Sequence, residues 1–353
     1  MDVIDFGIGE PQEETPAFIR RALADAIEPM SSYPRAEGLP VLREAIAAWV
    51  ERRFGVRVDP GTQVVPTLGA KEAIFHLAQV VGSGKVGVTV PGYPVAARGA
   101  LFAGREVVEL PLTAERNFLP DLDAVPWDEL ALLWLNYPNN PTAATADAAF
   151  YAEAAARARA HGVVLASDEA YSELWFAGPP PASALQAGDL AGILALNTLS
   201  KRSSMPGYRS GFIAGDPELV AGLKAYRPNV GVAPQLFVQH AAVAAWRDEA
   251  HVDAVREVYR AKRDVLLPAL LEAGLREAGG PASFFLWLAL PEDRLDGGSE
   301  AFALELLEEG LVVAPGAFFG PEGEGYVRVA LVPGLAACEE AAARLTRWRA
   351  ARR

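Results

Sequence analysis

The 353-residue chain contains one cysteine, Cys338, and only three methionines. A single cysteine excludes an internal disulfide, so nothing in the sequence indicates an oxidising compartment. No CxxC or HExxH spacing occurs, and the histidines are far apart in the chain: His76, His161, His240 and His251. Because metal ligands cluster at characteristic spacings, we expect no metal site.

Basic side chains are outnumbered, 32 Lys and Arg against 45 Asp and Glu, which gives a net charge of −13. An acidic surface disfavours nucleic acid and anionic membranes as partners. The apolar stretches are too short and too interrupted to cross a bilayer. The amino-terminal sequence MDVIDFGIGEP is acidic and turn-rich, unlike a signal peptide. We therefore expect a soluble cytoplasmic protein.

Two common phosphate-binding loops are also absent. The sequence has no GxxxxGK[ST] motif and no GxGxxG motif, and GIGEP at 7–11 does not follow a strand of the required kind. A nucleotide-binding α/β protein with a lysine at 201 by chance is therefore disfavoured.

Short apolar runs alternate with alanine-rich helical patterns through the first two thirds of the chain. Helical spacing predicts helices at 41–54, 71–81 and 147–162, and apolar runs predict strands within 85–94, 130–141, 163–171, 192–201 and 210–216. Strands separated by helices predict a mainly parallel sheet with helices on both faces. In such sheets ligands bind at the strand ends, where the polar and unusual residues of this chain lie.

The pattern changes after about residue 245. A long charged helix at 247–275 is followed by ASFFLWLAL, a helix near 299–309, GLVVAPGAFFG and GYVRVALV. We predict a large domain at 35–245 and a smaller α+β domain formed by 1–34 and 246–353. The first residues are assigned to the smaller domain because they lack a strand–helix unit of their own.

Lys201 lies between small hydroxyl residues at the end of an apolar strand. A partly desolvated lysine loses its proton readily and can form a Schiff base with an aldehyde. Arg209 follows in a tight Gly-Tyr-Arg-Ser-Gly turn, and its guanidinium suits a phosphate. Thr198 and Ser200 could donate hydroxyl hydrogen bonds to the same anion. A solvated surface lysine is the alternative interpretation.

Two further strand ends carry candidate residues. Gly69, Ala70 and Lys71 open a helix, where free backbone N–H groups bind phosphate; a plain strand–helix turn is the alternative. Asp168 ends a strand, with Tyr171 three residues later. A carboxylate there could keep a pyridine nitrogen protonated, or it could simply cap a helix.

In this order the motifs resemble the fold-type I pyridoxal-phosphate enzymes, in the class I and II aminotransferase branch. The resemblance runs from GIGEP to GYVRVALV, and its most specific motif is SKxxxxxGxRxG at 200–211. It implies the aminotransferase α/β fold, with a mainly parallel sheet in the large domain and a smaller α+β domain. It also implies pyridoxal 5'-phosphate as cofactor and amino and keto acids as substrates.

The resemblance also implies roles for the residues that contact the cofactor ring. Lys201 matches the Schiff-base lysine, which also moves a proton between the substrate α-carbon and the cofactor C4′. Asp168 pairs with the pyridine nitrogen, while Asn140 and Tyr171 bind the 3′-oxygen. An ordinary Asn-Pro turn is the alternative for Asn140. Tyr93 matches the aromatic residue that stacks on the ring, although a core tyrosine beside a turn is also possible.

The remaining implied roles concern the phosphate and the substrate. The phosphate cup comprises Gly69, Ala70, Lys71, Thr198, Ser200 and Arg209. Arg328 clamps the substrate α-carboxylate, together with Asn140 and the backbone at Gly9; a solvent-facing strand arginine is the alternative. Tyr33 matches a tyrosine that reaches the cofactor phosphate of the neighbouring subunit, which implies a homodimer with a shared active site.

One position departs from the family pattern. The usual Asn-Pro-Thr-Gly reads Asn-Pro-Thr-Ala here, with Ala143 in the last position. Alanine is tolerated at this position if its φ is negative, so the departure bears on the conformation of the local turn and not on the role of Asn140.

Longer segments, among them LNTLSKRSSMPGYRSGF, are similar to the succinyldiaminopimelate aminotransferases of lysine biosynthesis, which use glutamate as amino donor. Arg35 and Arg202 could meet a distal carboxylate, but surface positions are favoured for both. The alternatives are an aspartate, alanine or LL-diaminopimelate aminotransferase and a C–S lyase. An effector-binding regulator with this fold is disfavoured, because such regulators carry a DNA-binding helix-turn-helix and a basic face.

Overall fold

The structure, a computed structural model, describes residues 2–350. The strands are β1 Ile4–Asp5, β2 Val64–Thr67, β3 Lys85–Val90, β4 Val107–Pro111, β5 Leu130–Asn136, β6 Val164–Asp168, β7 Ile193–Thr198, β8 Gly211–Gly215, β9 Arg276–Glu277, β10 Phe285–Ala289, β11 Leu311–Val312, β12 Ala314–Pro315 and β13 Tyr326–Ala330. The α-helices are α1 Ala17–Asp25, α2 Pro40–Phe54, α3 Ala70–Val80, α4 Val95–Phe102, α5 Ala148–Ala160, α6 Leu199–Arg202, α7 Pro217–Tyr226, α8 Leu236–Arg247, α9 Ala250–Glu272, α10 Gly298–Glu308 and α11 Leu335–Ala350.

A seven-stranded sheet in the order β2-β8-β7-β6-β5-β3-β4 forms the centre of the described chain. Only β8 runs against its neighbours in this sheet. Strands β5 and β7 are buried along their whole length, which explains their nearly continuous apolar sequences. Helices α3, α4 and α7 pack on one face and α5 on the other. The predicted α/β architecture is confirmed.

A second region contains the four-stranded antiparallel sheet β12-β13-β10-β9 and the parallel pair β1-β11. Its core is formed with α9, α10 and α11. Helix α1 packs elsewhere: Ile19 lies in one cluster with Trp49 and Trp246, from α2 and α8. The division into 35–245 and 1–34 with 246–353 stays a prediction, and residues 1 and 351–353 lie outside the described residues.

Local sequence signals set several helix ends. Helix α2 ends at Gly55, whose φ of 70° is left-handed, and α5 begins after Asp147, whose carboxylate accepts a hydrogen bond from the Phe150 N–H at 2.7 Å. The helix predicted at 247–275 is shorter. Asp248 is extended and accepts from the His251 N–H at 2.9 Å, which separates α8 from α9.

Within residues 2–350, no helix is both long enough and apolar enough to cross a membrane.

Candidate active site

A cavity of about 770 Å³ opens at the carboxyl ends of β5, β6 and β7. Most residues predicted from the sequence line this one cavity: Gly9, Ala70, Lys71, Tyr93, Asn140, Asp168, Tyr171, Thr198, Ser200, Lys201, Arg209 and Arg328. Gly69 and Tyr33 do not line it. The strand-end rule therefore located the cavity, whereas the roles of its residues stay predictions.

The side of the cavity to which the sequence assigns a phosphate forms where three adjacent strands meet. Gly211 at the start of β8 pairs with Thr67 at the end of β2 and with Thr198 at the end of β7. A side chain on Gly211 would clash with the backbone, because its Cβ would lie 2.5 Å from the Asn197 carbonyl oxygen and 3.1 Å from the Gly69 carbonyl carbon. The glycine thus lets the β2–α3 turn pack directly on β8.

Gly69 does not line the cavity, but it packs directly against the side chain of Arg209. Its φ is 72°, and a Cβ there would lie 2.7 Å from Nη2 of Arg209. The guanidinium of Arg209 donates to the Leu68 carbonyl at 3.2 Å and to the Pro206 carbonyl at 2.8 Å. Two backbone carbonyls therefore hold this charge beside the open amino end of α3, where backbone N–H groups lack intrahelical partners.

The hydroxyls next to Lys201 are buried and bonded to each other. Thr198 Oγ1 lies 3.0 Å from Ser200 Oγ and 3.0 Å from the Ser210 carbonyl oxygen, and it accepts from the Ser200 N–H at 3.1 Å. These contacts fix the turn that carries Lys201 out of β7.

Lys201 is mostly enclosed, and its amino group donates to the Gly9 carbonyl at 2.6 Å. The rings of Phe284 and Tyr171 lie 5.2 Å and 6.0 Å from Nζ. Burial lowers the pKa of Lys201 to about 8, although the carboxylate of Glu10 opposes this shift. The interpretation of Lys201 as a solvated surface lysine is wrong.

Asp168 ends β6 and is 6% exposed. Burial raises the pKa of its carboxyl group to about 6, while the Ala170 N–H and the charge of Lys201 act in the opposite direction. The Ala170 N–H donates to the carboxylate at 3.1 Å. No basic side chain within residues 2–350 forms an ion pair with it. A protonated nitrogen in the cavity would supply the missing partner.

Arg328 on β13 is buried and not solvent-facing, which excludes the surface alternative. It donates to Asn140 Oδ1 at 2.8 Å and to the Gly7 carbonyl at 2.5 Å, while the rings of Phe285 and Phe319 lie 4.3 Å and 4.6 Å from its guanidinium carbon. Burial lowers its pKa to about 10.

The guanidinium of Arg328 is incompletely satisfied. Its Nε has no hydrogen-bond partner, and no carboxylate of the described chain pairs with the charge. A buried cation with a free donor favours an anionic ligand.

The remaining ring-side candidates differ in burial. Tyr171 is buried, with its ring edge-on to Phe284 and Phe285, and burial raises the pKa of its phenol. Tyr93 is half-buried, and the amino group of Lys71 lies 5.9 Å from its ring centroid.

Tyr33 stands apart from the cavity. Its side chain is fully exposed, at 102% of the reference value, and nothing in the single chain brings it to the other candidates.

Three further residues named in the sequence analysis can be compared with the structure. Ala143 has a φ of 59°, so the condition of a negative φ is not met; the turn keeps the left-handed conformation that glycine usually supplies. Arg202 is not on the surface but fully buried, where it donates to the Ala245 carbonyl at 2.8 Å. Arg35 is exposed and pairs with Glu37 at 3.3 Å.

Sequence reasoning missed several residues that line the cavity, among them Glu10, Asn136, Phe285 and Phe319. Asn136 was available from the strand-end rule, since it ends β5 and pairs in register with Asp168. The two phenylalanines come from the second region, and no motif marks them.

Comparison with known proteins identifies the family. The family model for aminotransferase class I and II matches residues 1–345. An LL-diaminopimelate aminotransferase of Dehalococcoides mccartyi is 40% identical over 340 residues, which cover 94% of this chain and 87% of that protein.

Solved structures agree with this family. An aminotransferase from Neisseria meningitidis has 36% identity and a TM-score of 0.91, with 98% of this chain and 92% of that one covered. A probable N-succinyldiaminopimelate aminotransferase from Thermus thermophilus has 32% identity and a TM-score of 0.89, with 98% and 93% covered.

Members of this family use pyridoxal 5'-phosphate, and the cavity suits that group. It offers a mostly enclosed lysine of lowered pKa, a buried carboxylate without a cation partner and an open helix start beside an arginine. The unpartnered Nε of Arg328 leaves a donor for a substrate carboxylate. The chain belongs to the class I and II aminotransferases and is a pyridoxal-phosphate-dependent aminotransferase.

Proposed function

We propose that this aminotransferase transfers the amino group of LL-diaminopimelate, with 2-oxoglutarate and glutamate as the second substrate pair. The observation that carries the choice is 40% identity to an LL-diaminopimelate aminotransferase across 94% of this chain. The succinylated substrate expected from the sequence has weaker support, from a structure of 32% identity whose own assignment is given as probable.

In the proposed reaction Lys201 binds the cofactor and moves the substrate proton. Bound pyridoxal phosphate supplies an electron sink for the bond that breaks at the substrate α-carbon. The low pKa of Lys201 makes the neutral amine accessible near neutral pH, so Nζ can take up a proton and return it. Asp168 would hold a proton on the ring nitrogen of the bound cofactor, and Asn140 and Tyr171 would bind its ring oxygen.

We assign anion binding to two separate groups of residues. The cofactor phosphate is held by Arg209, Thr198, Ser200, Lys71 and the first N–H groups of α3, with Gly69 allowing the close approach of Arg209. The substrate α-carboxylate binds Arg328, whose Nη1 is already oriented by Asn140, and lies near the backbone of Gly9. Tyr93 covers the ring face.

Glu10 supports the unsuccinylated substrate. Glu10 lines the cavity, and its charge raises the pKa of Lys201 against the effect of burial. No basic side chain of residues 2–350 forms an ion pair with it. The distal end of LL-diaminopimelate carries an ammonium group, which a nearby carboxylate attracts. Succinylation converts this ammonium to a neutral amide and adds a carboxylate, so the attraction to Glu10 is removed.

We further propose a homodimer in which Tyr33 of one copy reaches the cofactor phosphate of the other. Tyr33 lies on a segment whose large apolar side chains are exposed in the single chain, with Ile27 at 61% and Met30 at 86%. Such exposure is typical of a surface that another chain covers. The mass of the enzyme in solution tests this assembly, and a monomer that retains full activity would contradict it.

A panel of single half-reactions tests the substrate. The cofactor-loaded enzyme is mixed with LL-diaminopimelate, its N-succinyl form, glutamate, aspartate or alanine, and the cofactor absorbance is followed. Fast conversion by LL-diaminopimelate and glutamate supports the proposal. Fast conversion only by the succinylated compound, or mainly by aspartate or alanine, replaces the substrate. Release of pyruvate and ammonia from a sulfur amino acid would indicate a lyase.

The variant Glu10→Gln separates the two diaminopimelate forms. We expect Glu10→Gln to lower the ratio of kcat/KM for LL-diaminopimelate to kcat/KM for the N-succinyl form about tenfold, the value of one lost charge-assisted contact. The ratio is used because the charge of Glu10 also acts on the pKa of Lys201, and that effect is common to both substrates. Equal losses for both substrates would show that Glu10 does not recognise the distal ammonium.

A further inference from the structure

Arg227 and Glu72 form a buried ion pair behind the phosphate side of the cavity. Both the Nε–Oε1 and the Nη2–Oε2 distances are 3.2 Å, so the guanidinium holds the carboxylate with two donors. The side chains are 1% and 9% exposed. Neither residue lines the cavity, and the proposed chemistry does not use them.

On one side the pair holds the turn that precedes α3. The Leu68 N–H donates to Oε2 of Glu72 at 3.2 Å, and the Leu68 carbonyl accepts from Nη2 of Arg209 at 3.2 Å. Glu72 therefore holds the backbone of Leu68 through its N–H group, and the carbonyl group of Leu68 in turn holds Arg209. Glu72 thus acts on the position of the guanidinium to which we assign the cofactor phosphate.

On the other side the pair holds the segment that follows Tyr33. Nη1 of Arg227 donates to the Ala36 carbonyl oxygen in a short hydrogen bond. The end of this segment is fixed as well, because the Leu39 N–H donates to Oε1 of Gln239 at 2.6 Å. Tyr33 precedes both anchors and is separated from Ala36 by only two residues, so the anchored backbone limits where its exposed side chain can lie.

We propose that Arg227 is a positioning residue for two active sites at once: through Glu72 it orders the phosphate cup of its own chain, and through Ala36 it orders the segment that carries Tyr33 to the cup of the second copy. This inference rests on the proposed function and its homodimer. It predicts that one substitution weakens cofactor binding both in the chain that carries it and in the partner.

The substitution Arg227→Lys tests the geometry while it keeps the charge. An ammonium group is compact and lacks the planar fork, so it cannot hold both Glu72 oxygens and the Ala36 carbonyl together. Removing the charge altogether would leave the buried Glu72 without its guanidinium partner, with a risk of unfolding. Glu72→Gln is the second variant should Arg227→Lys fail to fold.

The experiment uses mixed dimers of two differently tagged full-length chains. One chain carries Lys201→Ala, which silences its own site, so that activity reports only on the other chain. Arg227→Lys is added either to the active chain or to the silent chain. The readout is the concentration of pyridoxal phosphate at half-maximal activity, with kcat measured separately at saturation. We expect about a tenfold rise in that concentration in both arrangements, with kcat changed less than about twofold.

The experiment has one negative control and one positive control. Arg344→Lys in the silent chain is the matched change, since Arg344 is also buried and binds a glutamate and backbone carbonyls, but in a region remote from the cavity. It is expected to leave the readout unchanged. Tyr33→Phe in the silent chain is the positive control for the shared site.

The outcomes separate the inference from the function on which it rests. A loss with Arg227→Lys in the silent chain supports the inference. A loss only in the active chain, while Tyr33→Phe in the silent chain does weaken binding, overturns it and leaves the shared site intact. No loss with either variant in the silent chain overturns the shared site and the inference together. In Glu72→Gln the guanidinium of Arg227 loses its two-oxygen carboxylate anchor, so its bond to the Ala36 carbonyl loosens as well, and this variant in the silent chain is read in the same way.

Discussion

The inner and outer halves of the active site are built differently. In the inner half, Asp168 ends β6, and Lys201 lies on α6, which directly follows the adjacent strand β7. Both residues are largely enclosed, and burial shifts their pKa values. In the outer half, Arg209 is exposed and held by two backbone carbonyls, and Tyr33 is fully exposed in the single chain. The groups assigned to chemistry thus lie at or just beyond the ends of adjacent strands, while those assigned to phosphate retention depend on an exposed turn and, in the proposed dimer, on a second copy.

The largest effect is expected at Lys201, in the inner half. We expect Lys201→Ala to lower kcat by about 10⁴-fold or more, because it removes both the cofactor attachment and the group that moves the proton. The measurement is turnover together with the absorbance of the bound cofactor. Lys224→Ala, a lysine that donates to the Gly61 carbonyl on the surface, is the control. Rapid turnover by the Lys201 variant would refute the assignment.

Asp168→Asn tests the second inner group. We expect kcat to fall by about 10²- to 10³-fold, since an amide cannot stabilise a positive charge on the ring nitrogen, while bound cofactor falls much less. Single-turnover rates and cofactor content distinguish the two effects. Unchanged turnover would mean that another group protonates the ring.

Arg328→Lys tests the substrate side of the cavity. Loss of a charge-assisted contact to the α-carboxylate is expected to raise KM for amino acids by about 10- to 100-fold, while the affinity for the cofactor stays the same. Steady-state kinetics and a cofactor titration measure the two quantities. A variant that loses cofactor and retains KM would assign Arg328 to the cofactor instead.

The pKa of Lys201 predicts how cofactor-free enzyme is reconstituted. Only the neutral amine attacks the aldehyde, and the folded pKa of about 8 lies below the ordinary value of 10.5. The rate is therefore expected to rise about fivefold from pH 7 to pH 8 and to level off above about pH 9. Stopped-flow absorbance measures it. A rate that climbs tenfold per pH unit up to about pH 10 would show an unshifted lysine.

The smallest effect is expected at Ala143, outside both halves. Glycine would relieve an alanine held at φ 59° but would also remove a buried methyl group. The first term is worth about 1–2 kcal/mol and the second about 0.8 kcal/mol, with backbone entropy also opposing the change. Ala143→Gly is therefore expected to change the free energy of unfolding by less than about 1 kcal/mol, as measured by denaturant titration.

Sequence patterns predicted the inner half better than the outer half. Asp168 ends an apolar strand, Lys201 shortly follows one, and strand ends converge in a parallel sheet, so periodicity and motif agreed there. Phe285 and Phe319 flank Arg328. Because these contacts join residues that are not neighbours in the chain, no local sequence pattern marks them. Arg202 was misjudged because its adjacency to Lys201 carries no information about which way a side chain points from a short helix.

The paired residues Thr198 and Gly211 have a consequence for engineering. The segment between them leaves the sheet at one register position and returns to the facing position on the neighbouring strand. It carries Lys201 and Arg209, so the separation of these two side chains is fixed by a closed loop on two hydrogen-bonded strands. Exchange of residues 199–210 among relatives would therefore transplant the lysine and its arginine as one cassette, without altering the sheet that receives it.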